Sequence, residues 1–466
     1  MKKEILTSEV SLNFNSDVKL SEDQKNLFNI AENTNNSLFI TGGAGVGKSL
    51  FVDYFRNHTL KNVIVLGSTG VASINIKGQT IHSAFRLMPR VQVVDFNNKE
   101  LWKIPNKVKT MIKNADVFLF DEISMTSPDV IDMVDQKCRL VMNSSLPFGG
   151  KQTIFIGDLL QLPPVIRDKS VFDYLIDHYG GIHFFNAPAF KDGEFKIYEL
   201  TEIFRQQDMS FKEMLNNIRI GKISDDILEK INSRVDLPIN EEEYIILTAT
   251  NKTADDINKT KLDAIDNKEF TYHADITGDI NENNFLVDTE LHLKVGAQVM
   301  ILSNDRKKRW GNGSLGIVTQ LYPNEILVKI NGKEYSIPKF TWHNYKNEYD
   351  EETKKIKQVK VGTLEQFPIR LGWALTIHKS QGKTFKTILI DLENGAFASG
   401  QVYVALSRCT SLDHLYLKKK INKRDIKVDN EALQFMKNME LSSISDDGAK
   451  VDYNYNIENI DIRKIK

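Results

Sequence analysis

The chain has 466 residues, 41% hydrophobic and 26% charged, with a formal net charge of −1 and two cysteines. Those values suit a globular protein of about three domains, and exclude a disulfide scaffold, a cysteine-built zinc centre and a uniformly basic nucleic-acid coat. No apolar run approaches the roughly 20 residues that span a bilayer, and Met1-Lys2-Lys3-Glu4 turns polar too soon for a secretory signal. A cytoplasmic protein with no membrane association and two reduced cysteines, Cys138 and Cys409, is expected.

Short apolar runs at 37–40, 63–66, 117–120, 153–156, 244–247 and 387–390 lie between helical stretches. Their hydrophobicity is continuous rather than alternating, which predicts parallel strands covered by helices on both faces. The first run enters Thr41-Gly42-Gly43-Ala44-Gly45-Val46-Gly47-Lys48-Ser49, followed by the amphipathic stretch 50–56. This satisfies G-x-x-x-x-G-K-[ST] in its strand–loop–helix setting. The glycines let backbone N–H groups curl around phosphates, and the helix N-terminus adds partial positive charge. Gly43, Ala44, Gly45, Val46 and Gly47 form the cradle, Lys48 reaches the β- and γ-phosphates, and the Ser49 hydroxyl is placed to ligate Mg²⁺. The chain is expected to bind a nucleoside triphosphate.

The third run ends in Asp121-Glu122, one carboxylate for Mg²⁺ and the other to orient and deprotonate a water. The fourth enters Gly157-Asp158-Leu159-Leu160-Gln161-Leu162-Pro163-Pro164, where prolines fix the backbone and Gln161 can sense a γ-phosphate. Between 291 and 360 the texture changes to short strands at 298–302, 316–320, 325–330 and 334–337, separated by Asn-Gly and Pro-Asn turns, which predicts a small antiparallel insertion. The charged stretch 345–360 is its hairpin tip or loop. Local basic runs at 103–113, 306–309 and 418–424 are the available nucleic-acid patches in a chain of balanced charge.

The P-loop, Asp121-Glu122-Ile123-Ser124 and the Gly157–Val165 string resemble those of the Pif-one family of DNA helicases, in the 5′→3′ branch of superfamily one that includes RecD-like and Dda-like enzymes. The resemblance runs over residues 18–420. It takes in 20–24, 68–72, 78–85, 200–206, 215–219, 293–300, 312–316, 374–382 and 402–408. The segment 129–150 resembles the stretch peculiar to the Pif-one branch, and a long N-terminal regulatory extension is not expected.

The resemblance implies an α/β fold of two RecA-like cores with parallel sheets, a pin insertion in the first and a small β-barrel insertion in the second. The expected boundaries are 1–198 for the first core with its pin at 86–109, 199–290 and 361–430 for the second, 291–360 for the insertion and 431–466 for a tail. It implies that Gln24 reads adenine, that Gly382 joins the nucleotide site, and that Arg205 and Arg408 are arginines reaching the γ-phosphate from the second core. Lys48, Asp121, Glu122, Gln161, Arg205 and Arg408 are thus the catalytic set, with Ser49 and Asp121 as metal ligands.

Ser68, Thr69, Thr80, His82 and Phe85 on the first core, with Thr376, His378 and Lys379 on the second, are implied to line single-stranded DNA. Alone, His82 and His378 read as core histidines; the repeated Thr-x-His pattern, 80–82 and 376–378, points to the strand. The function implied is an ATP- and Mg²⁺-dependent 5′→3′ DNA helicase acting at single-strand/duplex junctions, monomeric in solution, with replication or repair proteins as partners. The alternatives are the motor subunit of a RecD-like nuclease complex and a regulatory P-loop ATPase that does not translocate.

Overall fold

A computed structural model describes residues 20–88, 92, 102–202, 208–239, 244–393 and 395–439. The first core is a six-stranded parallel sheet of β1 (Leu38–Gly42), β2 (Val63–Gly67), β3 (Gln79–Thr80), β4 (Val117–Asp121), β5 (Gln152–Ile156) and β6 (Lys196–Leu200), in the order β3-β2-β4-β5-β1-β6. Every residue of β1, β4 and β5 is buried, as continuous apolar strands require. Helix α1 (Glu22–Asn33) starts at a Ser21 capping box, and α2 (Lys48–His58) follows the P-loop. On one face Phe39, Phe155, Phe184 and Phe190 pack edge-to-face or stacked, each burial worth roughly 1.5–3 kcal/mol.

The second core is a four-stranded parallel sheet in the order Ala374–Thr376, Ile245–Thr248, Ile388–Asp391, Leu415–Leu417. Between its strands lies the antiparallel insertion. Lys333–Ile337, Ile326–Ile330, Leu315–Leu321, Gln298–Ile301 and Ile369–Leu371 form one sheet. The long hairpin Phe340–Asp350/Lys355–Gln366 pairs with Asp275–Gly278, and Glu269–His273 pairs with Glu290–Lys294. These strands extend beyond 291–360 on both sides. Glu269–His273 buries only Tyr272, so its sequence carries little apolar signal, and 361–366 continues the hairpin whose charged tip the sequence marks.

The hairpin lies against the first core. Lys355 Nζ donates to the Leu60 carbonyl at 2.8 Å, and the Asn347 N–H and Nδ2 donate to Gln79 Oε1 at 2.9 and 3.0 Å. Lys107 pairs with Glu348 at 2.8 Å from the helix Asn106–Asn114, which occupies the end of the expected pin. Residues 89–91 and 93–101 of that pin lie outside the described residues.

The chain from 430 is not simply a tail. Asn430–Asn438 is a helix that places Ala432, Leu433 and Met436 in the first core's apolar cluster. Phe435 stacks on Phe185 with 4.1 Å between rings, and Asp429 meets buried His183 at 3.0 Å. An amphipathic face, with apolar Ala432, Leu433 and Met436 at helical spacing, carries the signal for this docking. The tail beyond 439 lies outside the described residues.

Candidate active site

The phosphate loop, the two carboxylates and Gln161 all stand at the carboxyl ends of the first core's strands, where parallel sheets hold ligands. Gly47 starts α2 at φ 82°, left-handed backbone that an L side chain enters at a cost and that aims successive N–H groups inward. Lys48 folds back, its ammonium donating to the Gly42 and Gly43 carbonyls at 2.7 and 2.9 Å. Burial lowers its pKa, against the raising influence of Asp158, Glu122 and Asp121. Ser49 is exposed on the first turn of α2. Gln24 is fully buried beside the loop, with Oε1 accepting from the Ser21 N–H at 3.0 Å and Nε2 donating to the Gly47 carbonyl at 3.1 Å.

Burial pushes Asp121 up to about 7, reinforced by the charge of Glu122. Glu122 is also raised by burial, with Lys48 and then Arg408 opposing. Its backbone is left-handed, φ 52° and ψ 42°, a strained conformation for a non-glycine residue and one that clusters at functional sites. Two carboxylates held close in a dry site beside one lysine are a ready receptor for a divalent cation and for a proton. Among the described residues no group of three or more His, Cys, Asp or Glu side chains could hold a metal alone, so a cation here needs phosphate oxygens to complete its shell.

The second core contributes side chains that the motifs did not single out. Arg219, on the helix Met209–Arg219, is 3% exposed and donates from Nε and Nη2 to Asp158 Oδ1 at 3.1 and 2.9 Å. Gln161 Nε2 bonds the other oxygen of Asp158 at 3.0 Å. Tyr403 Oη accepts from the Ala44 N–H at 2.8 Å. Gln381 Nε2 reaches Gln161 Oε1 at 3.2 Å and Glu122 Oε2 at 3.4 Å. Gly400 approaches so closely that a Cβ there would stand 1.9 Å from the Gln161 carbonyl oxygen, so only glycine fits at φ +71°. Arg219, Gln381 and Tyr403 lie inside recognised strings, but their partners sit 61 to 359 positions away on the other core, and such pairings leave no local pattern.

Arg408 is 1% exposed. Its Nε donates to the Val404 carbonyl at 2.9 Å, Nη1 to those of Ser380 and Lys383 at 3.4 and 3.2 Å, and Nη2 to Ser407 Oγ at 2.8 Å. Its charge is felt by Glu122 across the interface. Arg205 lies outside the described residues. Gly382 is exposed with φ +77° and open space where a Cβ would go.

Of the expected strand-lining residues, Thr80 and His82 line a cleft of about 400 Å³ between the first core and the insertion, with Arg86, Asn284, Asn344 and Lys346. Ser68, Thr69 and the second-core set do not line that cleft. Thr69 and Thr80 cap helices, accepting from the Ala72 and Ser83 N–H groups, and Thr376 Oγ1 is buried and accepts from the Lys379 N–H at 3.3 Å. Among the described residues the buried Ser68 hydroxyl has no hydrogen-bond partner. Burial lowers the pKa of His82, His378 and Lys379.

Phe85 is corrected: it is 0% exposed and packs on Phe118 at 5.6 Å, a core residue with no ring face for a base. The burial of Ile81 and Ala84 beside it, at helical spacing, is the signal that marks it. Phe397, 58% exposed and stacked near His378 at 6.4 Å, is an aromatic that the sequence motifs missed.

A family model described as PIF1-like helicase matches residues 19–229, and one described as the 2B domain of the DNA helicase Pif1 matches 279–321. The ATP-dependent DNA helicase Pif1 of Campylobacter jejuni is 32% identical over 437 residues, covering 86% of this chain and 94% of that protein. A Pif1 from Bacteroides sp in complex with ADP-AlF4 is 37% identical, with a TM-score of 0.83 over 90% of this chain and 97% of its own. The Bacteroides Pif1 bound to ssDNA, with the same identity and coverage, superposes at 0.65. The helicase model spans the phosphate loop, both carboxylates and Arg219, and the relatives match almost end to end; the chain therefore belongs to the PIF1-like helicase family and is an ATP-dependent DNA helicase with two RecA-like cores.

Proposed function

We propose that this helicase moves 5′→3′ along single-stranded DNA and opens the duplex at a junction, its two cores closing on MgATP and parting after hydrolysis. The carrying observation is that both cores furnish the nucleotide site: Tyr403 holds Ala44, Arg219 holds Asp158 and Gln381 reaches Glu122. Turnover at such a site is tied to the spacing between cores, and a strand gripped by both advances as that spacing cycles.

In this reading Lys48 and the 43–47 backbone hold the phosphates, Gln24 sits at the adenine side, and Gly382 flanks the site. Glu122 takes the proton of the attacking water, Gln161 senses the γ-phosphate, and Arg408 and Arg205 offset charge on the transferred group. Ser49 and Asp121 would hold Mg²⁺, which supplies charge neutralisation on the phosphates. The exposed hydroxyl of Ser49 and the buried, unusually basic carboxylate of Asp121 fit that ion.

Single-stranded DNA would meet Ser68, Thr69, Thr80 and His82 on one core and Thr376, His378 and Lys379 on the other; the Bacteroides Pif1 structure bound to ssDNA and a Pif1 structure described for unwinding at forked dsDNA support that partner. Such contacts are sequence-blind, mixing backbone-tracking donors with stacking surfaces. We read the enzyme as a cytoplasmic monomer serving replication, repair or recombination. The test is strand displacement on 5′-tailed, 3′-tailed and blunt duplexes with ATP and Mg²⁺. Unwinding from the 5′ tail alone is expected; unwinding from the 3′ tail alone overturns the direction and leaves the motor intact.

A further inference from the structure

One short turn, His378–Lys383, joins three things. It begins with His378 and Lys379, on the reading above the second core's DNA contacts. Its Ser380 and Lys383 carbonyls accept from Arg408 Nη1 at 3.4 and 3.2 Å. Between them Gln381 sends its carboxamide across the interface, with the same Nε2 donating to Gln161 at 3.2 Å and to Glu122 at 3.4 Å. The turn is itself braced, because Ser380 N–H donates to the Thr376 carbonyl at 3.0 Å and Gln381 N–H to that of His378 at 3.2 Å. A shift at His378 or Lys379 therefore carries Gln381 with it.

We propose that Gln381 is a positioning residue that acts through Glu122, restraining it until DNA moves the His378–Lys383 turn. A carboxylate serves as a general base through a free lone pair aimed at water. An N–H donated to that oxygen stabilises the charged form and turns the lone pair away from water. The same amide ties Gln161 to the carboxylate, so the base and the γ-phosphate sensor are held by one group from the opposite core. DNA on the turn withdraws the amide, freeing both residues together. The arrangement would make ATP turnover depend on DNA without any DNA contact to the first core's catalytic residues.

This inference rests on the assignment of Glu122 as base, and the experiment separates the two. ATP turnover is measured at saturating MgATP, with and without single-stranded DNA, for the full chain carrying Gln381→Ala, Gln381→Leu or Glu122→Gln. Both Gln381 variants are expected to raise the DNA-free kcat by about tenfold, the scale of one hydrogen bond to a charged group, while the DNA-stimulated kcat stays within about threefold of wild type. Leucine keeps the volume, so a gain shared by both variants is not a packing effect, and structural damage alone would not speed a reaction. Fluorescence anisotropy with a labelled oligonucleotide should give unchanged DNA affinity. A DNA-free kcat that stays level or falls in both variants overturns the restraint. Glu122→Gln retaining wild-type turnover instead overturns the base assignment, and the restraint with it.

Discussion

The Tyr403 hydroxyl, on the second core, accepts a hydrogen bond from the Ala44 N–H of the phosphate loop at 2.8 Å. Tyr403 is 4% exposed, and burial pushes its phenol up to about 12, so it faces the loop as a neutral hydroxyl. An arriving phosphate competes with it for that N–H.

Tyr403→Phe removes the competitor and keeps the ring. One net hydrogen bond is worth about 0.5–1.5 kcal/mol, so ADP should bind roughly twofold to tenfold more tightly. Titration with a fluorescent ADP analogue reads this directly, and weaker binding would show that the hydroxyl serves the bound nucleotide instead.

Lys48→Ala should abolish ATP hydrolysis while leaving single-stranded DNA binding in place. Lys48 is held at the loop by the Gly42 and Gly43 carbonyls, poised to swing to phosphate oxygens, while Arg219 is committed to Asp158. Retained DNA-stimulated turnover in the variant, measured by phosphate release, would remove Lys48 from the site.

The part of this site that sequence made legible is the part written contiguously. Gly42–Ser49, Asp121-Glu122 and Gly157–Gln161 each follow a buried strand, because a parallel sheet delivers its ligand residues at strand ends. The same logic located six of the parallel strands. Tyr403, Gln381 and Arg219 act across the interface, and their meaning comes from a partner on another core, which periodicity cannot register. Hydroxyls carry two readings at once. Thr69 and Thr80 lie in strings whose resemblance implies DNA contact, and they also cap helices, a role that Ser and Thr play wherever a short helix starts. The insertion was placed from its turns; Asp275–Gly278, the strand that pairs with its long hairpin, is exposed at every residue and shows no alternation.

Arg408→Ala should lower kcat for ATP by about 10³-fold with a smaller effect on ATP affinity, as expected for charge supplied to the transferred phosphoryl group. Arg408 also braces the 380–383 turn, so unfolding must be compared in parallel. Arg205→Ala is expected to behave alike. Near-wild-type kcat at saturating ATP, for either variant, excludes that arginine as the group reaching the γ-phosphate.

Phe85 separates stability from DNA binding. Its ring is fully buried against Phe118, and its own backbone carbonyl accepts from the buried Lys137 ammonium at 3.1 Å. Phe85→Ala leaves a cavity in a close-packed aromatic cluster and should cost about 3–5 kcal/mol, read as a lower urea midpoint. Phe85→Leu keeps much of the volume and should cost less. In the folded Leu variant the affinity for single-stranded DNA should match wild type, because the ring offers no face to a base. His82→Ala is the contrast: His82 lines the cleft beside Thr80 and Arg86, so its loss should weaken DNA binding with little effect on the urea midpoint. If Phe85→Leu instead weakens DNA binding at unchanged stability, the ring must leave the core when DNA is bound.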